Sequence, residues 1–554
     1  LVINGVTTVN KNTEQGVVEN NGTLIIEKDK KLTALVKNKE GSNVQTSAAD
    51  VWGNIENSGN LNLNGGVFGN YTVTGAGKTL ITADTENTGS ITQNGLVVNK
   101  GTTYTNTNKT TVVESLTNLG EISNNDKFTV AGTNSLGNFT GNGTLNTNGT
   151  ITADKTIAQG AINVATDSSF TNAGGISVSD KISNAGTFVS NADISGNVDN
   201  DGTLTSNNTI TGDVINSSIF DNNAKLKGML TNTQTGNATS NASNLLGNVV
   251  NNGLLKLTGG EYSAQVIAMM DMDDTETAYS ITGEGTTEIT VDTINSGLIT
   301  QNGLKVNDSI QFTNNGTTVV TETLNNLGVI VNNGEFTIKG TNSLGVFNGQ
   351  GLLNLNGTIT IDDVLTQGEI RVSVNSVVTN DGGITADIIT NEGTFTSNSA
   401  ITAGITNKGT FTSLAGITGN ISNEGEFTSN GTISGDVTNS STFNNNGALT
   451  GTLTNTGNAT SNASNLLGNV SNDGTLNFAG GTYGDYTISG IGTTVITADT
   501  ENAGTIVQNG LTVNAEKTFT NSKDITINVT LNNLGTINNN ANFTVKGTNS
   551  LGTI

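Results

Sequence analysis

The chain has 554 residues, of which 33% are hydrophobic and 4% aromatic, too lean a supply for several thick globular cores. It has no cysteine, histidine or proline, which removes disulfide, thiolate and imidazole chemistry and suits a backbone whose amides nearly all donate to a sheet ladder. With 22 basic against 46 acidic residues, a formal charge of −24, and Arg371 as the single arginine, the composition excludes nucleic-acid binding and bidentate phosphate recognition.

Residues 1–52 read as the start of a repetitive β-fold. The opening Leu1-Val2-Ile3-Asn4 has no basic segment followed by an apolar one, so it reads as a mature or excised chain. No stretch approaches the ~20 apolar residues of a membrane helix, which predicts no direct membrane insertion by this segment.

A long repeat begins near Gly53. The hexapeptide GTNSLG starts at Gly132, Gly340 and Gly547, and Gln-Asn-Gly-Leu starts at Gln93, Gln301 and Gln508, both series stepping by 208 and then 207 residues. Modules are therefore assigned to residues 53–246, 247–467 and 468–554, within one continuous solenoid. The third stops at Ile554 before its short repeats begin, and the natural protein is expected to continue.

In the first module, Gly75-Ala76-Gly77-Lys78-Thr79 resembles the tail of a phosphate loop, but Thr72 stands where that motif needs its first glycine. Asp84 and Glu86 fall two apart and so share one strand face, as do Asp499 and Glu501 in the third module. The middle module has Asp292 and Ile294 there. Paired carboxylates can hydrolyse glycosides, but no basic or aromatic subsites surround these pairs in the sequence, and they are read as solvated surface acids.

A 16-residue repeat then takes over, opening at Asn184, Asn200, Asn216 and Asn232. The second module interrupts the pattern with an insertion at 263–278, where Asp271, Asp273, Asp274 and Glu276 could hold a hard cation through oxygen ligands. The reading adopted is an extra coil or protruding loop with solvated acids.

The 16-residue array is clearest at Asn391, Asn407, Asn423, Asn439 and Asn455. Ile417, Gly419, Ile421, Asn423, Gly425 and Phe427 fall at every second position, which is strand periodicity, with Thr418, Asn420, Ser422, Glu424 and Glu426 facing outward. The alternation lapses near Ser413 to Gly416, where the chain should turn. Such a thin ribbon closes a core only if its coils stack at the strand spacing of ~4.8 Å. The fold class expected is all-β, a parallel β-helix. Phe411, Phe427 and Phe443 should then align, as should Ile401, Ile417 and Ile433, while the five asparagines form an amide ladder at a corner. The glycine two places after each asparagine should supply a tight or left-handed backbone there.

In the third module, Gly480-Gly481-Thr482-Tyr483-Gly484-Asp485 is similar to a calcium-roll repeat, but its spacing is wrong and it has no tandem copies, so a plain turn is expected.

The serial Asn-x-Gly-x-(Leu/Ile/Phe) corners, as in Asn407-Lys408-Gly409-Thr410-Phe411, together with Thr/Asn/Gly/Ser-rich outer faces and no cysteine, resemble autotransporter adhesin passenger domains and related large bacterial surface proteins. That resemblance implies a right-handed coil, an extracellular or outer-surface location, and a role in attachment, aggregation or biofilm. The chain itself shows no amphipathic membrane barrel. The function expected is an adhesin or autoaggregation stalk, without catalysis or cofactor. Its partners would be further copies of itself, through lateral or end-to-end contacts, or a glycan or protein on a host or neighbouring cell. The alternatives are a subunit of an extracellular fibre, sheath or surface layer, and a polysaccharide-active β-helix enzyme.

Overall fold

The computed structural model describes residues 1–263, 279–547 and 549–554. The chain is an all-β parallel solenoid of about 29 turns, with 65% of its residues in strands. Among the described residues there is no α-helix, only the short 3-10 turns Ala48–Asp50, Ala242–Asn244 and Ala463–Asn465. It divides into two compact units, one built on Leu1–Gly260 and reaching Thr286, the other built on Thr287–Ile554.

Within the second unit, a 16-residue coil consists of three short strands: Ile421–Asn423, Glu426–Ser429 and Ile433–Ser434. Neighbouring coils repeat them in register: the next pairs Val437 with Ile421 and Phe443 with Phe427, and the one before pairs Ile417 with Ile433. Ile421, Asn423, Phe427, Ser429 and Ile433 are buried, while Thr418, Asn420, Glu424 and Glu426 are exposed. One continuous alternating ribbon from Ile417 to Phe427 would be too straight for so short a coil. The chain instead bends at Gly419-Asn420 and again at Glu424-Gly425, as well as at the turn after Ser413.

Column packing follows from this register. The rings of Phe395, Phe411 and Phe427 lie parallel, with centroids 4.7 and 4.8 Å apart and planes within 3°. Phe443 tilts by 57° at 6.1 Å from Phe427, where the next coil supplies only Ala459 at the paired position. The spacing is the backbone's, so the rings take the separation that the strand ladder imposes.

The glycine after each asparagine corner does a different job from the one its sequence position suggests. Gly409 and Gly425 are not left-handed; a Cβ added to them would lie 2.1 Å from the Gly393 carbonyl oxygen and 2.2 Å from that of Gly409. The residue is glycine because successive coils touch backbone to backbone at this corner.

Gly409→Ala is therefore expected to force two coils apart and destabilise the second unit by about 1–3 kcal/mol. Gly404→Ala, whose Cβ meets only the Asp387 carbonyl oxygen at 3.4 Å, should leave stability nearly unchanged. Thermal midpoints of the two variants against the parent check this.

Candidate functional site

Among the described residues, polar side chains gather in columns inside the coils. In the second unit, each ladder asparagine donates its Nδ2 to the Oδ1 of the next: Asn391 to Asn407 and Asn407 to Asn423 at 2.8 Å, then Asn423 to Asn439 and Asn439 to Asn455 at 2.7 Å. Asn455 continues to Asn472 at 2.8 Å. All are essentially buried. Each Nδ2 also meets backbone oxygens, as Asn407 does at Gly409 (3.2 Å) and Glu426 (2.9 Å), which fixes the amide's orientation. Asn391 Oδ1, at the head of the column, is buried without a hydrogen-bond partner; the coil before it presents Val372 in that place.

Such columns recur in the first unit, at two corners. In the first unit, Asn20, Asn38 and Asn57 are linked in order, as are Asn87, Asn106 and Asn124, and Asn184 through Asn200, Asn216 and Asn232 to Asn251. A third corner uses serine as acceptor, with Asn172 donating to Ser190 and, in the second unit, Asn380 to Ser397, both at 2.8 Å.

Several columns end in the same device, one that residue spacing alone does not reveal. Asn124 Nδ2 donates to Gln159 Oε1 at 2.8 Å, Asn332 to Gln367 at 3.0 Å, and Asn472 to Gln508 at 2.7 Å, each two coils away. The coil between has a glycine at the ladder position: Gly141, Gly349 and Gly490, with φ of +117°, +129° and +118°. A Cβ at Gly141 would sit 2.0 Å from the Asn124 carbonyl oxygen. The longer glutamine side chain reaches back across that gap, and Gln508 Nε2 also donates to the Gly490 carbonyl oxygen at 3.1 Å. Gln93 spans Gly75 to Asn57 in the same way. The signal in the sequence was a glutamine about 36 residues after an asparagine with a glycine midway, and it looked only like a marker of the long repeat.

The candidate acids are also absorbed by coil stacking. Asp84, Asp292 and Asp499, at equivalent places in the three modules, accept the backbone N–H of Thr103, Gln311 and Thr518 in the next coil at 2.8–2.9 Å. Glu86 and Glu501 accept from threonine hydroxyls, Thr107 at 3.4 Å and Thr482 at 3.3 Å. Asn420 and Asp436 cap the following coil likewise, at Asp436 N (2.9 Å) and Thr452 N (2.8 Å). The phosphate-loop look-alike has its N–H groups committed, Gly77 N to Asn57 O and Lys78 N to Gly59 O. Arg371 is paired with Glu369 at 2.6 Å, and Asp485 with Lys523 at 3.3 Å. Asp271, Asp273, Asp274 and Glu276 lie outside the described residues, and among those described no three acids converge as a metal site.

No known protein family matches this chain, and neither does any curated protein or solved structure. Assignment of function therefore rests on the molecule's own surfaces.

The carboxyls of Asp154 and Asp362, equivalent in the first and second modules, are held below the usual range. Burial pushes each upward, but hydrogen bonds from Ser135 or Ser343 and from the N–H of Gly137 or Gly345 outweigh it. Asp436 is lowered by the backbone N–H and hydroxyl of Thr452. A depressed carboxyl contributes stability that is present above its unfolded pKa of about 3.9 and lost as pH falls through the folded value. The thermal midpoint should thus drop below pH ~4, and the double variant Asp154→Asn with Asp362→Asn should drop less steeply. Separately, Asn423→Ala leaves Asn407 Nδ2 and Asn439 Oδ1 short of a partner and should cost about 2–4 kcal/mol, read as faster amide exchange in the adjoining coils.

Proposed function

We propose that this chain is a bacterial cell-surface adhesin or autoaggregation stalk, exported, with right-handed coils grouped in 208-residue modules, whose contacts are spread along the solenoid. The observation that supports the reading most is where the polar chemistry goes. Buried amides, aspartate caps and backbone groups are used between successive coils, and what the outer faces offer is repetition. Exposed asparagines form columns of their own, with Asn223 donating to Asn207 and Asn207 to Asn191 at 2.9 Å, and Asn446 to Asn430 at 2.8 Å. Each amide in such a column keeps hydrogen-bonding capacity toward solvent, repeated over the two or three coils of the run. A second copy presents the same spacing, so many weak contacts add through multivalency.

The formal charge of −24 opposes that association, and screening should favour it. Cells displaying one, two or three modules are expected to cluster more strongly with module number and with added salt. Clustering that ignores both would overturn distributed contact between copies and favour a purely structural role in a fibre or surface layer.

A further inference from the structure

The chain's only tryptophan, Trp52, lies in the first unit, immediately after the 3-10 turn Ala48–Asp50, and is 42% exposed. Its Nε1 donates to the Ala49 carbonyl oxygen at 3.1 Å, which fixes the indole. From the coil before, Lys31 sets its Nζ 3.8 Å from the ring centroid. That lysine makes no ion pair among the described residues. From the coil after, Val67, Asn70 and Tyr71 complete a concavity of about 350 Å³ with Val51 and Trp52. The Tyr71 ring is braced edge-on by Phe68, with centroids 6.4 Å apart.

The electrostatic setting of this concavity departs from the rest of the molecule. Residues 1–52 hold six lysines and six acids, so the whole formal charge of −24 falls in residues 53–554. An anion repelled elsewhere meets Lys31 beside the concavity, its Nζ over the Trp52 ring and outside the residues that line the hollow. The segment leading into the third module repeats the architecture without the chemistry: after its own 3-10 turn, Ala463–Asn465, it places Leu467 where Trp52 stands, also 42% exposed. Leu466 bridges to Leu449 as Val51 pairs with Leu32, so Ala448 takes the place of Lys31, and the repeat alignment puts Asp485 and Tyr486 at Asn70 and Tyr71. A turn that needed only an apolar cover would be served by leucine.

We propose that the Trp52–Tyr71 concavity is a binding site for an acidic saccharide. Trp52 gives one face to Lys31 and, with Tyr71, offers its remaining aromatic surface to the C–H side of a sugar ring, since the negative ring face meets the positive C–H edge. Asn70 bonds hydroxyls, and Lys31, stacked over the Trp52 ring and outside the lining, attracts a carboxylate that reaches past the indole. A mostly apolar cleft of this volume with a few polar groups is the usual form of a small-ligand site. The site acts independently of contact between copies, so clustering can fail while the pocket binds, and the reverse.

Because Trp52 is the only tryptophan, fluorescence excited selectively at tryptophan, away from the six tyrosines, reports this pocket alone. The probe is an oligomer of glucuronic acid, compared with a glucose oligomer of equal length and a glutamate peptide of equal charge. The expected result is a saturable change with a Kd on the order of 1 mM for the acidic oligomer, weakened about threefold by Lys31→Ala. The heat of binding should be absent from Trp52→Leu by calorimetry. Both substitutions install residues that the chain carries at the equivalent places ahead of the third module, Ala448 and Leu467, and circular dichroism confirms that the sheet is retained. No saturable change up to about 20 mM, an equal response to the glucose oligomer or the peptide, or an unaltered affinity in Lys31→Ala would each overturn the assignment.

Discussion

A parallel coil has no partner within itself. Its N–H and C=O groups point along the stacking axis, and only the coils before and after can satisfy them. Everything inside inherits that axis: a residue at a given corner touches its counterpart ~4.8 Å away more closely than most of its own coil. Apolar residues answer with columns such as Phe395, Phe411 and Phe427. A buried polar residue must find a partner in the same direction, and the side-chain amide suits this because it carries a donor and an acceptor on one short stem.

The cost of the arrangement appears where a column stops. Burying an amide without partners is unfavourable by a few kcal/mol, so an asparagine column cannot give way abruptly to valine without leaving a donor stranded. The glycine and glutamine pair settles this at Gly141 and Gln159, Gly349 and Gln367, and Gly490 and Gln508. The glutamine takes the last donor and uses its own Nε2 on backbone oxygens, as Gln159 and Gln508 do. Past it the corner turns apolar, as Gln93 pairs with Val112 and Gln508 with Ile527. A new column opens at a different corner, with Asn87 donating to Asn106 and Asn502 to Asn521. The long repeat marks this alternation between corners, and the recurrent Gln-Asn-Gly-Leu falls on it because the ladder closes there.

Much of this was legible in residue spacing. The 16-residue interval placed Asn391 to Asn455 and Phe411 to Phe443 in columns, since identical residues at a fixed period in a β-pattern have few other arrangements open to them. What spacing could not convey was distance between backbones. Gly409 reads equally well as a left-handed turn or as a close approach, and only the Gly393 carbonyl oxygen, 2.1 Å from where a Cβ would stand, decides between them. The aspartate caps were hidden for a related reason: Asp84 and Glu86 share a strand face whether or not the former accepts an N–H from the next coil. Trp52 drew no notice, because its neighbours Lys31 and Tyr71 come from different coils about 20 residues to either side.

The account holds that amide columns are continuous through their glycine gaps, and hydrogen exchange across one gap tests that most directly. Gln159→Asn shortens the bridging side chain by one methylene, too little to unsettle the coil yet enough to break the 2.8 Å bond from Asn124. The account predicts faster amide exchange in the coils holding Asn124, Gly141 and Gln159, with protection unchanged around Asn184 to Asn232. Unaltered protection at all of these positions would contradict it.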